Sequence, residues 1–149
     1  MSKQKKLIRI VAALLVIAAL GGWYAYREYN RPLESMANAK SEVSIKAVEL
    51  IAEFEKNEAN SSQRFNDKVI EVEGMLKEAT ADDKGFYTLA LGDEASMSSV
   101  RCSIDSAFTS AASQLNKGEL VKIKGVCSGF TADELLGSDV TLVRCAVIK

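Results

Sequence analysis

The chain contains no histidine among its 149 residues. Histidine is the commonest general base near neutral pH, a frequent ligand of zinc and haem iron, and the usual activator of serine and cysteine nucleophiles. Its absence excludes the Ser–His and Cys–His catalytic pairs and the histidine-based metal sites. Two carboxylate pairs, Asp82–Asp83 and Asp133–Glu134, fall in turn-like segments, where acidic residues favour turns and solvation. We therefore expect no catalytic residue, no metal, no cofactor and no enzymatic activity.

Cysteine is scarce. Cys102, Cys127 and Cys145 are well separated, and none belongs to a C-x-x-C pair. This spacing excludes the dithiol redox motif and the zinc knuckle.

Positive charge is scarce outside the N-terminal third. Residues 1–45 carry seven Lys or Arg against three Asp or Glu, whereas residues 46–149 carry twelve against seventeen. Binding to nucleic acid depends largely on clustered basic residues that displace counterions from phosphates. The acidic balance of residues 46–149 therefore argues against nucleic acid as a partner.

An apolar segment follows a basic N-terminus. Four Lys or Arg lie within the first nine residues, and the run from Ile10 to Tyr26 then has 17 residues without a charge. At 1.5 Å per residue this run spans roughly 25 Å, close to the thickness of a bilayer core. Residues 1–26 are therefore predicted to be a cytoplasmic basic end and a transmembrane signal anchor, with the membrane contacted by residues 7–26.

The position of the basic residues predicts the topology. By the positive-inside rule, the N-terminus lies in the cytoplasm and everything after Arg27 lies outside. We expect a single-pass protein of the inner (cytoplasmic) membrane whose C-terminal domain is in the periplasm or outside. A cleavable secretory signal is the alternative, because the apolar core from Ile10 to Leu20 has signal-peptide length. Both interpretations export the domain.

A linker and a helix come next. Residues 27–40 mix charged and small side chains and are interpreted as a juxtamembrane linker, in which Pro32 ends any continuous helix at about Arg31. From Ser41 to Ala59, apolar residues fall on a helical stripe opposite acidic ones, which predicts an amphipathic helix. A break is expected at residues 60–63. Residues 41–149 are predicted to form one domain that begins with this helix.

The remaining residues alternate in the manner of strands. Gly74, in the first of them, indicates a bulge or a tight bend. An Ala/Ser-rich stretch, residues 106–116, predicts a short helix after the third strand. Three strands, a helix and two strands are the order of the OB-fold, so we predict a mainly β protein with a five-stranded Greek-key barrel. The predicted strands are Val69 to Lys77, Phe86 to Leu91, Ser99 to Asp105, Glu119 to Cys127 and Val140 to Ile148.

Several short motifs occur along this region. They are Asn57-Glu58, Phe65, the run Lys68 to Gly74, Val100-Arg101-Cys102, Leu115 to Gly118, Val121 to Gly129, and Leu142 to Cys145. Together these motifs resemble the bacterial tRNA_anti-like OB family, and in particular its exported, membrane-anchored branch, whose members mostly have no assigned function. The resemblance covers roughly Ser44 to Lys149 and implies the fold and its topology. It implies no binding residues, and the family name implies nucleic acid by fold analogy only.

Four residues are candidates for ligand binding. An OB-fold that binds single strands presents aromatic residues for stacking on its second and third strands, with basic residues beside them. Tyr87 adjoins Phe86 on the second predicted strand, so only one of the two faces outward, and the third strand offers Arg101. Lys122 and Lys124 on the fourth strand are the best basic pair, although lysines on a solvated strand are usually only solubilising.

The cysteines offer a further prediction. In OB topology the fifth strand runs beside both the third and the fourth, so Cys145 meets Cys102 or Cys127 in a disulfide that an oxidising compartment would permit. Three buried free thiols are the alternative.

We therefore expect a non-catalytic, membrane-anchored OB-fold module that binds an envelope protein, peptide or glycan. A structural subunit of an envelope complex, with the predicted helix as its contact, and a nucleic-acid-binding OB domain are the alternatives. Neither the ligand nor the oligomeric state follows from the sequence.

Overall fold

A computed structural model of the protein describes residues 3–29 and 36–148. These residues form two compact units, an N-terminal helix and a mainly β domain, which are described separately. The elements are α1 (Lys3–Tyr29), β1 (Val43–Lys46), α2 (Ala47–Lys56), α3 (Glu58–Phe65), β2 (Val69–Ala81), β3 (Tyr87–Leu91), β4 (Ser99–Ile104), a 3₁₀ turn (Ser106–Phe108), α4 (Thr109–Ser113), β5 (Leu120–Asp133) and β6 (Gly137–Ile148).

The helix α1 is long and apolar enough, by length and composition, to cross a membrane. It also contains the basic residues that precede the apolar run, and Arg27 lies 5.9 Å from the centre of the Trp23 ring near its C-terminal end. An apolar N-terminal helix is thus confirmed, and it is compatible with a single membrane anchor or a signal sequence. Arg31, Pro32 and the rest of residues 30–35 of the predicted linker lie outside the described residues.

The β domain is a closed five-stranded barrel with one added strand. The sheet order is β1-β2-β3-β4-β6-β5, and β2 also pairs with β5, which closes the barrel. The pairs β1–β2 and β4–β6 are parallel, and the others are antiparallel. Without β1, this order is that of the OB-fold, so the predicted fold class is confirmed.

The predicted helix from Ser41 to Ala59 is wrong at its start. Val43–Lys46 is the strand β1, which runs parallel to β2 with Ile45 opposite Val72. The side chains of Val43 and Ile45 pack against the core, as β-branched residues do well on a half-buried sheet. The helix α2 therefore begins only at Ala47.

The end of the predicted helix also differs. Asn57 has an extended backbone and separates α2 from α3. Its side-chain oxygen accepts a hydrogen bond at 3.0 Å from the backbone N–H of Asn60, which caps the N-terminus of α3. Residues 60–63, predicted as a break, are therefore helical.

The long strand β2 pairs with β1 and β5 in its first part and with β3 from Leu76 onward. Its pairing with β5 continues without a shift through Gly74, and its register with β3 shifts between Leu76 and Glu78, so the bulge lies after Gly74. A Cβ at Gly74 would lie 2.8 Å from the Cβ of Ala47, so only glycine permits the close approach of α2. The strand β2 thus contributes to both sides of the barrel.

The strands β5 and β6 are longer than the sequence predicts. The expected loop containing Gly129 and Gly137 is instead a hairpin with a three-residue turn, residues 134–136. Asp133 stabilises this turn, because its Oδ1 accepts the N–H groups of Leu135 and Leu136 at 2.7 and 2.9 Å. The predicted helix over residues 106–116 is also shorter, a 3₁₀ turn followed by α4.

The core lies inside the barrel and beneath α2 and α3. Phe54 of α2 stacks on Phe130 of β5 with ring centres 5.1 Å apart and contacts Phe65 of α3 at 5.8 Å. The two helices thereby cover one side of the barrel.

Candidate functional site: a groove across three strands

A concave groove of ≈ 550 Å³ lies on the outside of the barrel, across the C-terminal half of β2, β3 and β4. This volume is within the range of about 300–1,000 Å³ that small-molecule sites occupy. The residues that line it are Glu78, Thr80, Asp82, Phe86, Tyr87, Thr88, Ala90, Arg101, Ser103 and Ile104.

Strand register arranges the floor of the groove in two rows. One row contains only hydroxyl residues, since Thr80 is opposite Thr88 and Thr88 is opposite Ser103. The next row places Ala90 between Glu78 and Arg101. Because side chains alternate along a strand, the intervening residues, such as Leu89 and Cys102, face the core. We call Glu78, Thr80, Thr88, Ala90, Arg101 and Ser103 together the groove face.

A tight turn positions an aromatic ring at the rim of the groove. The Oδ1 of Asp82 accepts the backbone N–H groups of Lys84 and Phe86, both at 2.9 Å, and the Asp82 N–H donates to the carbonyl of Phe86. Gly85 has φ +83°, which a glycine adopts without strain. The side chain of Phe86 is 47% exposed. The turn therefore holds the backbone that carries this ring.

The candidate Tyr87 occupies a different place from Phe86. Tyr87 lines the groove, but it is half-buried and packs against the core. Phe86 is the more exposed of the two and was not among the predicted candidates. The turn sequence ending at Gly85, directly before an aromatic residue, is the signal that could have identified it.

The candidate Arg101 lies in the groove and is held by an ion pair. Its Nε donates to Oδ2 of Asp139 at 2.7 Å, while its side chain stays about half exposed (53%). Asp139 was not predicted, because the pairing depends on the parallel register in which Ser99 is opposite Asp139. The other oxygen of Asp139, Oδ1, is buried and has no hydrogen-bond partner among the described residues.

The candidates Lys122 and Lys124 lie elsewhere, on β5. Lys122 is opposite Glu73 and pairs with it at 3.4 Å, and Lys124 is opposite Glu71. We call these four residues the lysine face. The Nζ of Lys124 donates to two backbone carbonyls of the preceding segment, Ala37 at 3.2 Å and Ala39 at 2.9 Å. Among the four predicted candidates, the structure thus brings together only Tyr87 and Arg101.

The charge of the groove is acidic. Glu78 and Asp82 line it, and the charge of Arg101 is paired with Asp139, so the two lining carboxylates leave the groove with a negative balance. Among the described residues, no group of three or more His, Cys, Asp and Glu side chains could hold a metal ion. The groove is therefore suited to hydrogen bonding and stacking.

The cysteines lie under these two faces. All three are buried free thiols in the structure. A bulge at Arg144, which has φ +54°, turns Cys145 into the core beside Cys102. A hydrogen bond with Cys102 and burial raise the pKa of Cys145 well above its usual value. The Sγ of Cys127 lies 3.5 Å from Oδ1 of Asn66. Burial raises the pKa of the Cys127 thiol to about 11.

Comparison with solved structures gives one match with a TM-score above 0.5, which has the same fold, and weaker similarities to other proteins. The crystal structure of a putative nucleic acid-binding lipoprotein from Klebsiella pneumoniae is similar with a TM-score of 0.55 and 18% identity, over 70% of this chain and 91% of that one. An OBody bound to hen egg-white lysozyme has a TM-score of 0.43 and 13% identity, over 58% of this chain and 86% of that one. Asparaginyl-tRNA synthetase from Entamoeba histolytica has a TM-score of 0.39 and 15% identity, over 56% of this chain and 21% of that one.

Sequence comparison assigns the family. No curated protein matches this chain. The family model of tRNA_anti-like matches residues 1–147, which is nearly the whole chain and more than the span over which the motifs suggest the resemblance. The chain therefore belongs to the tRNA_anti-like family.

Proposed function

We propose that this protein is an exported, membrane-anchored OB-fold module that binds an envelope protein, peptide or glycan through the groove, without catalysing a reaction. The observation that carries the proposal is the groove itself. It combines a rim aromatic, Phe86, held by the turn of Asp82, with Arg101, held by Asp139. Groups held in place before a ligand arrives lose little conformational freedom on binding.

Export is supported by the N-terminal helix. The basic residues of α1 precede its apolar part, which by the positive-inside rule orients the helix with the β domain on the outer side. This orientation supports the proposed location at the inner membrane, with the domain in the periplasm or outside. The fold of the Klebsiella lipoprotein, a class of protein anchored by lipid, is consistent with such a location.

Nucleic acid is the second candidate ligand. In its favour, the structurally similar Klebsiella protein is described as nucleic acid-binding, and OB-folds bind single strands through the same strands that form this groove. Against it, two carboxylates, Glu78 and Asp82, line the groove, and its single arginine is already paired with Asp139. The lysines that would offer phosphate contacts lie on β5 and are paired there. Phosphate binding requires the opposite charge balance.

Photocrosslinking in living cells tests the proposal on the full chain. A diazirine-bearing amino acid replaces Ser103 in the groove, Lys122 on the lysine face or Glu49 on α2, one position at a time. All three positions are exposed. We expect an adduct with an envelope component from position 103 and none from position 122.

The other outcomes are equally informative. A stoichiometric protein adduct from position 49 alone would indicate a structural subunit that docks through α2. A nucleic-acid adduct from position 103 would establish the second candidate. Equal crosslinking from positions 103 and 122 would contradict binding through the groove.

A further inference from the structure

We infer that the ligand of the groove is an uncharged, hydroxyl-rich saccharide; this inference rests on the proposed function, in which the groove is the binding site. The one observation that leads to it is the row of three hydroxyl side chains, Thr80, Thr88 and Ser103, across three adjacent strands. A hydroxyl group both donates and accepts hydrogen bonds, which matches the hydroxyls of a sugar better than a ligand of one charge.

The second row continues this mixed pattern. The carboxylate of Glu78 accepts hydrogen bonds, whereas the guanidinium of Arg101 donates them, and only the small Ala90 lies between the two. Nε of Arg101 is engaged by Asp139, and its terminal nitrogens extend from a half-exposed side chain. Sugar hydroxyls can bridge an acceptor and a donor placed in this way.

Phe86 supplies the apolar contact that such a ligand requires. A pyranose ring has a face of C–H groups, and burying that face against an exposed aromatic ring removes apolar surface of both from water. Phe86 is 47% exposed and lies at the end of the groove where Asp82 fixes the turn. OB-folds are known to bind oligosaccharides as well as oligonucleotides.

The charges of the groove discriminate against the competing ligand classes. A polyanion would meet the carboxylates of Glu78 and Asp82, and the charge of Arg101 is already paired with Asp139. A basic peptide would pair with Glu78 and Asp82, but it would also lie against Arg101 and leave the hydroxyl row without matched partners. A neutral saccharide avoids both repulsions.

Saturation-transfer NMR on the full chain in detergent micelles tests the inference, because it observes the ligand and tolerates a large protein–detergent particle. The neutral probes are the tetramer of N-acetylglucosamine and maltotetraose. Tetragalacturonate, tetralysine and a short oligothymidylate serve as charged comparisons. We expect transfer to at least one neutral probe and none to the oligonucleotide.

Variants assign the signal to the groove. Thr88→Val keeps the side-chain shape but removes one hydroxyl, and it is expected to weaken binding about fivefold, the value of one hydrogen bond. Phe86→Ala is expected to weaken it about tenfold. Lys122→Ala, on the lysine face, is the matched control and should leave the affinity unchanged. Circular dichroism checks that each variant is folded.

The results separate this inference from the proposed function. Binding of tetralysine or the oligonucleotide that is lost in Phe86→Ala, without binding of a neutral probe, would overturn the saccharide assignment and keep the groove as the site. If neither neutral probe binds and the adducts from position 103 contain only protein, the saccharide assignment is likewise overturned and the groove remains the binding site. Absence of any adduct from position 103 would overturn the proposed function as well.

Discussion

The groove face and the lysine face are both outer surfaces of the same barrel, but they use their polar residues differently. On the lysine face, Lys122 and Lys124 lie opposite Glu73 and Glu71, and Lys124 also binds backbone carbonyls. On the groove face, hydroxyls lie opposite hydroxyls, and the one ion pair fixes Arg101 from outside the row. On the lysine face both lysines have partners within the domain, whereas the groove face leaves donors and acceptors available to a ligand.

The largest expected difference between the two faces concerns the cysteines that lie beneath them. Beneath the groove, Cys102 of β4 and Cys145 of β6 are in contact, and in the exported location proposed above we expect oxidative folding to join them, with a disulfide-bearing oxidoreductase accepting the two electrons and two protons. Closing a loop of this length contributes about 4 kcal/mol to the free energy of unfolding. Thiol counting on the unfolded, unreduced protein should therefore find one free thiol. Three free thiols, or a bridge that contains Cys127, would contradict the pairing.

Cys127, near the lysine face, is the control for that experiment. Its pKa is raised to about 11, so the folded protein keeps the thiol protonated between pH 9 and 11, where an unfolded chain loses the proton. At pH 8 we expect maleimide to label native Cys127 about a hundredfold more slowly than the unfolded protein, since two pKa units separate the thiolate fractions. The native rate should rise with pH up to about 11. A rate at pH 8 equal to that of the unfolded chain would contradict the burial.

Gly125 tests how closely the strands pack under the lysine face. A Cβ at this position would lie 2.5 Å from Sγ of Cys145 and 3.2 Å from the carbonyl oxygen of Val143. Gly125→Ala is therefore expected to destabilise the domain by about 2 kcal/mol, measured by thermal unfolding. Gly129→Ala on the same strand is the matched control, because nothing lies within 4 Å of its Cβ. Equal effects of the two substitutions would refute the packing described for β5 and β6.

The two lysines should differ from each other. Lys124→Met removes hydrogen bonds to the carbonyls of Ala37 and Ala39 and is expected to cost about 1 kcal/mol of stability. Lys122→Met removes only a solvent-accessible pair with Glu73 and should cost less than about 0.5 kcal/mol. Denaturant unfolding of both variants measures the difference. A larger loss in Lys122→Met would mean that the lysine face is not organised as described.

Arg101 is expected to show the smallest effect on stability and a large one on binding. Its pair with Asp139 is largely accessible to solvent on the arginine side, so Arg101→Ala should change the free energy of unfolding by less than about 1 kcal/mol. The same variant should abolish the crosslink from position 103. If it unfolds the domain, or if it leaves the crosslink intact, Arg101 belongs to the scaffold and the comparison fails.

The sequence predicts much of the barrel because its signals are local. Alternation identifies all five barrel strands, whereas the bulge of β2 lies after Gly74, the position that the glycine suggested. The strand β1 is missed because Val43 and Ile45 also fit the helical stripe that continues into α2, and only pairing with the distant β2 selects the extended form. The local residue pattern therefore does not determine whether residues 43–46 form a helix or a strand.

The site is harder to predict than the fold. Arg101 and Tyr87 are identified as strand residues with suitable chemistry. The contribution of Asp139 depends on the parallel register of β4 and β6, and the contact of Cys145 with Cys102 depends on the bulge at Arg144. The residue pattern predicts neither the register nor the bulge. Lys122 and Lys124 are predicted as ligand-binding candidates for the same reason, because the groups that they contact lie in distant parts of the chain.

Hydroxyl-radical footprinting of the native chain tests the central claim most directly, since it needs no variant. Phe86 in the groove is 47% exposed, and Met75 and Leu120 beside the lysine face are 49% and 63% exposed. Oxidation is compared between isolated membranes that contain the protein, where the proposed envelope ligand would be present, and the purified protein. We predict that Phe86 is protected at least severalfold in the membranes while Met75 and Leu120 react equally in both. Equal oxidation of Phe86 in the two samples, or protection confined to Met75 and Leu120, would contradict a ligand site in the groove.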